Sequence, residues 1–336
     1  MPKLVTNCVL CGVTPEQFRP YADVSGWRYV CCGNCGLVFL NPQPTEEELG
    51  TFYDHSYNYD LRRYRDSIPQ DRVWLDLLEQ FSQCPGNLLE VGCSYGYFLA
   101  AAQERGWSAC GVELGKEAAE FARNELGLPV ERGRILDLPN TTACSFDAIV
   151  AWHVLEHDPD PYAFIETAYD LLRPGGILAL RVPNLNSTVA KLSGSRWQWL
   201  SPPEHVCMYT LDTLSQFLVQ SGFEILTSRT ARGNSRNIWF EVLRARIKMA
   251  LTSAPNGRAD LSEQFRFGRP TVYQDRLWYR AVEGLIKIGT MPVDWFFSRW
   301  MSKRGKEAEL AVLARKPISK VSMQVSSKPS VERRRA

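Results

Sequence analysis

The chain has 336 residues, of which 45% are hydrophobic and 23% charged, and its formal net charge is +2. This is the balance of an ordinary soluble globular protein, and it excludes a whole-chain bias toward polyanions. No apolar run of about 18 residues is present, so no membrane span is expected, and the opening MPKLVTNCVLCG lacks the layout of a secretion signal.

Residues 1–45 are cysteine-rich. Of the ten cysteines, five fall between residues 8 and 35, and the rest are scattered through apolar segments. That layout fits metal binding plus buried thiols in a reducing cytoplasm rather than a disulfide framework. CVLCG (8–12) and CGNCG (32–36) are paired knuckles whose glycines let each turn close. Cys8, Cys11, Cys32 and Cys35 are the expected ligands of a tetrahedral Zn2+. Cys31 is a spare. Four protein sulfurs leave the ion no open position, so the expected role is structural.

Residues 46–86 read as helical. TEEELGTFY opens with a threonine cap and acids in the first turn, and PQDRVWLDLLEQF (69–81) has helical apolar spacing. Residues 87–231 alternate strand and helix signals. Strands are expected at 87–91, 108–112, 128–132, 146–151, 175–182 and 223–229, with helices around 95–104, 115–126, 160–172 and 211–221. The expected class is α/β, a parallel sheet covered by helices. Residues 232–305, rich in Arg and Trp, read as a helical insertion. EAELAVLARK (307–316) reads as one more strand, within a last-strand segment set at 306–316, and the polar tail 317–336 reads as disordered.

LLEVGCSYGYFL (88–99) carries the chemistry. A P-loop would end in Gly-Lys-Ser/Thr, whereas residues 96–98 are Gly-Tyr-Phe; the dinucleotide pattern would place a glycine where Ser94 stands. Glu90 ahead of the turn would repel phosphate. An acid there suits a ligand with a positive group and hydroxyls. Glu113 ends the next strand, where a carboxylate can accept from ribose hydroxyls, and Asp137 follows the third strand, within reach of an exocyclic amine. Three acids and no phosphate cradle point to S-adenosylmethionine.

Taken in order, LLEVGCSYGYFL, GVEL, DLP, FDAIVAWHVLEHDPDP and LLRPGGILALRVPN resemble the successive motifs of class I S-adenosylmethionine-dependent methyltransferases. The resemblance implies a Rossmann-like seven-stranded sheet whose last strand is antiparallel. It also implies that Glu90, Gly92 and Gly96 line the methionine and ribose side. By the same resemblance Glu113 holds the ribose, Asp137 and Leu138 face the adenine, and Trp152 or His153 borders the sulfonium. The bland reading of Glu113 and Asp137 is a carboxylate capping a helix.

Transfer to a hydroxyl or carbon acid needs a base, and histidine suits the task near neutral pH. The chain has four: His55, His153, His157 and His205. His205 ranks first, with Glu204 placed to orient it or share its duty; His157 is second and His153 third. The bland reading is that Glu156 and His157 brace the adjacent helix. The knuckles, the NPQPTEEELGTFYDHSY segment, the core and the Glu-His pair together resemble a bacterial group. It includes sugar C-methyltransferases and related enzymes of polysaccharide and natural-product pathways. Pro202 stands where the sugar enzymes commonly carry an aromatic hydroxyl, a departure that counts against a sugar ring-carbon acceptor and leaves an O-methyl acceptor equally open.

The expected acceptor is a small molecule or glycan. Tyr53, Tyr57 and Tyr59 are expected either in its wall or packed under the zinc module. Within the insertion, 276–304 places Trp295, Phe296, Trp300 and Met301 close together among basic residues, as a lid or a peripheral membrane contact. Competing readings are an RNA base methyltransferase that uses the zinc module to hold RNA, and a cofactor-binding protein without chemistry. Near-neutral charge gives no strong nucleic-acid signal. The sequence leaves the oligomeric state open.

Overall fold

A computed structural model of the chain describes residues 3–55, 68–82, 85–138, 145–231 and 306–318. The expected insertion over 232–305 and tail over 317–336 therefore lie outside the described residues, apart from the stretch up to 318. Tyr57 and Tyr59 lie outside them too, as do the side chains of Tyr53 and His55. No helix among the described residues is long and apolar enough to cross a membrane.

The chain opens with three short strands, β1 (Phe18–Val24), β2 (Trp27–Cys32) and β3 (Val38–Leu40). Helix α1 (Glu46–His55) follows. Its start is a reciprocal cap: the Thr45 hydroxyl accepts from the Glu48 N–H at 3.1 Å, and the Glu48 carboxylate accepts from the Thr45 N–H at 2.8 Å. Helix α2 is Ile68–Phe81.

The alternating region then runs β4 (Asn87–Val91), α3 (Tyr97–Glu104), β5 (Ser108–Glu113), α4 (Lys116–Asn124), β6 (Val130–Arg132) and β7 (Phe146–Trp152). It continues through α5 (Pro161–Leu171), β8 (Leu172–Pro183), α6 (Thr188–Ser193) and the two-residue β9 (Cys207–Met208). It closes with α7 (Leu211–Gln220), β10 (Glu224–Ala231) and, after the insertion, β11 (Glu309–Arg315). Caps fix the helix starts: Asp160 accepts from the Ala163 N–H ahead of α5, and Thr210 accepts from the Thr213 N–H ahead of α7.

Seven strands form one sheet in the order β10-β11-β8-β7-β4-β5-β6. β4 lies parallel to β5 and β7, and β11 runs antiparallel to both β8 and β10. Successive strand residues point to opposite faces, and here both faces are covered, so both are apolar. Leu89, Val91, Ile149 and Leu180 pack on one side with Phe164 of α5 and Phe217 of α7; Leu88, Ala148, Val150 and Ala179 pack on the other with Leu75 and Leu78 of α2 and Leu99 of α3.

Two departures from the sequence expectation matter for the site. β8 begins at Leu172 rather than at the expected 175, so Arg173 and Pro174 lie inside the strand rather than before it. The N-terminal strands also form a four-stranded sheet, β1-β2-β3-β9, whose last member comes from beyond β8. Cys8, Leu37 and Phe39 of the cysteine-rich segment belong to the same core cluster as Ile149, Leu180 and Tyr209.

Candidate active site

The turn after β4 is drawn tight by its own backbone. The Gly92 N–H donates to the Val112 carbonyl at 2.8 Å, and the Gly96 N–H to that of Cys93 at 2.8 Å. Gly92 has φ +68°, and a Cβ there would lie 2.5 Å from Val154 Cγ2. Ser94, where a glycine is usual, takes φ +50°, a left-handed conformation that costs a side chain roughly 1–2 kcal/mol. Glu113 holds it there: one carboxylate oxygen accepts from the Ser94 N–H at 2.8 Å, the other from the Gly115 N–H at 2.7 Å. Glu113 and Glu90 are both buried, Glu90 within β4 beside Gly111 and Val150.

S-adenosylmethionine can be tested against these residues. The Glu113 carboxylate stands at the carboxyl end of β5, and a carboxylate oxygen, with two lone pairs, can be shared by a backbone N–H and a hydroxyl. Among the described residues, Ser94 Oγ and Trp152 Nε1 are buried without a hydrogen-bond partner, as expected of groups that meet a ligand. The donor set fits a nucleoside with a positive end. The Asp137 carboxylate accepts from the Arg134 N–H at 2.8 Å and is more than half exposed, capping a short 3-10 turn. Leu138 packs against the main core. Trp152 lies between Trp74 and Phe98, with the Arg181 guanidinium 5.5 Å over its ring.

The end of β7 carries the histidines. His153 also has a positive φ, +57°. Its Nδ1 lies 3.1 Å from Glu156 and its Nε2 3.2 Å from Glu309 on β11. A ring that meets a carboxylate at each nitrogen is an imidazolium: burial opposes the charge, but the two carboxylates outweigh it and push His153 up to about 9. The same pairing holds Glu156 and Glu309 below the ordinary carboxylate range against burial.

His157 and His205 are different. His157 Nδ1 lies 3.0 Å from the Glu204 carbonyl, and His205 Nδ1 lies 2.6 Å from that of Trp199. A carbonyl only accepts, so each Nδ1 carries the proton and a neutral ring keeps its Nε2 lone pair. Burial and the neighbouring His205 push His157 down. The two rings meet edge to face at 4.7 Å, and Trp199 stacks on both His205 and His153. Donor atoms of Glu156, His157 and His205 all lie within 4.8 Å of one another, and Glu156 Oε2 is buried without a partner among the described residues. The Glu204 carboxylate instead accepts from the Ser201 hydroxyl at 2.6 Å. The His205 ring is thus oriented by a backbone carbonyl, and Glu204 is aimed elsewhere because Ser201 lies one turn back on the same loop. Nothing in the sequence marks Trp199, Glu156, Glu309 or Tyr29, whose hydroxyl meets the His205 carbonyl, as a site residue.

The sulfurs of Cys8, Cys11, Cys32 and Cys35 lie within 4.8 Å of one another, with Cys8–Cys35 at 3.6 Å and Cys11–Cys32 at 3.5 Å. A tetrahedron with metal–sulfur bonds of about 2.3 Å has edges of about 3.8 Å, so the set fits zinc. The Cys35 thiol, bonding to Cys8, is the main influence pulling Cys8 down to about 5 against burial. Cys31 is outside the group; its thiol faces the Cys32 and Gly36 carbonyls.

A family model described as Methyltransferase domain matches residues 61–228, half of the chain. Among curated relatives, a ubiquinone biosynthesis O-methyltransferase of Psychrobacter arcticus is 33% identical over 110 residues, 30% of this chain and 41% of that protein. Another of the same name, from Pseudomonas entomophila, is 30% identical over 132 residues, 38% of this chain and 56% of that protein. The chain thus spans about half the length of the curated relatives it matches. Among solved structures, the [4+2]-cyclase SpnF is 20% identical with a TM-score of 0.49, covering 83% of this chain and 99% of that one. A SAM dependent methyltransferase from Archaeoglobus fulgidus is 16% identical with a TM-score of 0.47, covering 75% and 94%.

Proposed function

The chain belongs to the methyltransferase-domain family, and from that premise we propose that it moves a methyl group from S-adenosylmethionine to a hydroxyl of a small molecule, with His205 as general base. S-adenosylmethionine, when bound, supplies a methyl already activated by its sulfonium. The chain then has to align the acceptor and take its proton.

The observation that carries this reading is the polarity of His205. With Nδ1–H committed to the Trp199 carbonyl, the basic lone pair is fixed on Nε2, in a residue that is 3% exposed. Removing such a base typically costs about 10²–10⁴ in rate. Glu113 and the Ser94 turn hold the ribose side, and buried Glu90 favours the cationic end. The choice of oxygen over carbon is supported by the O-methyltransferase names of the curated relatives and by Pro202 where an aromatic hydroxyl would assist ring-carbon chemistry. A net charge of +2 favours a small molecule over RNA. We place Zn2+ on Cys8, Cys11, Cys32 and Cys35 in a structural role and the protein in the cytoplasm.

The test is mass spectrometry of cell-extract metabolites after incubation with isotopically labelled S-adenosylmethionine. The expected result is a labelled product whose methyl sits on oxygen, formed at least 100-fold more slowly by His205→Ala at unchanged cofactor affinity, on the general-base scale above. Label on RNA, or none in any fraction despite tight cofactor binding, contradicts the reading.

A further inference from the structure

The loop that carries His205 is gripped from two sides. On the sheet side, the Val206 N–H donates to the Glu156 carbonyl at 2.7 Å, and the Tyr209 hydroxyl to that of Leu155 at 3.2 Å. On the other side stands the cysteine module. Val38 pairs with Met208 and Phe39 with Cys207, and the Leu40 N–H donates to the Val206 carbonyl at 2.9 Å. Residues 207–208 are thus an edge strand of the module's own sheet.

Tyr29 completes the grip. It is wholly buried, and its hydroxyl donates to the carbonyl of His205 itself at 2.7 Å, across 176 residues of sequence. A buried tyrosine hydroxyl needs some acceptor, and the one taken here belongs to the residue whose ring must be aimed. The Tyr29 strand, β2, ends at Cys32, and the turn into β3 carries Cys35. That turn is closed by the Gly36 N–H to the Cys32 carbonyl at 3.0 Å and the Cys32 N–H to that of Leu37 at 2.9 Å. An ion on the four sulfurs would pin this turn to the N-terminal knuckle, and with it the place where β2 and β3 present Tyr29 and the β3 edge.

We infer that Tyr29 is a positioning residue for His205, and that the cysteine module acts on methyl transfer by holding the His205 loop rather than by touching either substrate. The inference rests on the proposed base role of His205 for its effect on turnover, but the geometry it asserts can be read without any acceptor. With four histidines in the chain, the imidazole nitrogens can be resolved by long-range 15N NMR and His205 assigned by its loss in His205→Gln.

Two arms use the full-length protein. In the first, Tyr29→Phe is expected to shift the His205 ring nitrogen signals away from the single Nδ1–H tautomer. S-adenosylmethionine affinity and metal content should stay within about twofold, and turnover on the acceptor found by labelling should fall about fivefold, the scale of one lost hydrogen bond. In the second, chelation of the metal should move the same His205 signals and zinc should restore them. Unchanged His205 signals in both arms overturn the inference. Movement on chelation alone assigns the effect to the β3 edge and removes Tyr29 from it. If Tyr29→Phe does not fold, the chelation arm decides: His205 signals that survive metal loss overturn the role of the module. Should His205→Ala turn over normally, the base reading fails while the NMR arms still decide whether Tyr29 aims the ring.

Discussion

The two halves of the ligand-side edge are built from different ranges of sequence. Around β4 and β5, the working contact joins Ser94 to Glu113, 19 residues apart. Around β7 and β8, the contacts join His153 to Glu309 on the last strand and Tyr29 to His205, 176 residues apart. The first half is a motif, since one turn and the next strand contain its parts. The second is an assembly, in which side chains from the N-terminal module, a long loop and the last strand meet only after folding.

The sharpest break of that contrast comes from the cysteine module. Cys11→Ser should lower bound zinc well below stoichiometric and cost about 4 kcal/mol or more, because a structural zinc site is folding free energy and this module shares the main core. Metal analysis and denaturant unfolding read both quantities. Full zinc occupancy in that variant would remove the four-thiolate site, and an undisturbed His205 environment would show that the module does not hold the assembled half together.

Gly92→Ala probes the point where the halves touch, the β4 turn against Val154. The new Cβ meets Val154 Cγ2 at 2.5 Å with φ at +68°, so overpacking of roughly 1–3 kcal/mol adds to left-handed strain of roughly 1–2 kcal/mol. A second change, Val154→Ala, should recover the overpacking part only. Full recovery, measured by thermal unfolding, would show that the backbone imposes no constraint.

The smallest effect is a pH dependence on the assembled side. His153 is raised from 6.5 to about 9 in the folded chain, so its stabilising contribution is fully present below about pH 6.5 and is lost as pH rises through 9. A shift of that size is worth at most about 3 kcal/mol. His153→Gln should flatten the decline in melting temperature between pH 7 and 10, and an identical decline in both proteins would deny His153 its charge.

What could be read from sequence follows the same division. A seven-stranded sheet with an antiparallel last strand is implied by the ordered motifs, and Thr45 with Glu48 announces its helix by spacing alone. Ser94 in a left-handed turn is legible only as a departure from a glycine, because the compensating bonds come from Glu113. Cys207–Met208 is too short for any alternation to reveal a strand; only the β3 edge makes it one. Glu204 beside His205 invites a pairing, yet neighbours in sequence need not face each other, and Ser201 takes the carboxylate. Nothing local marks Tyr29 or Glu309, since their partners lie far along the chain.

The central claim is that the carboxyl ends of β4 and β5 grip the nucleoside of S-adenosylmethionine through Glu113. Calorimetric titration of S-adenosylmethionine into the wild-type protein and Glu113→Gln tests it directly. Glu113→Gln keeps an acceptor for one of the two backbone N–H groups, and its fold can be checked by melting temperature. The account predicts binding at least about tenfold weaker in Glu113→Gln, the loss of charge-assisted hydrogen bonds worth roughly 1.5–3 kcal/mol each; equal affinity in the two proteins would contradict it.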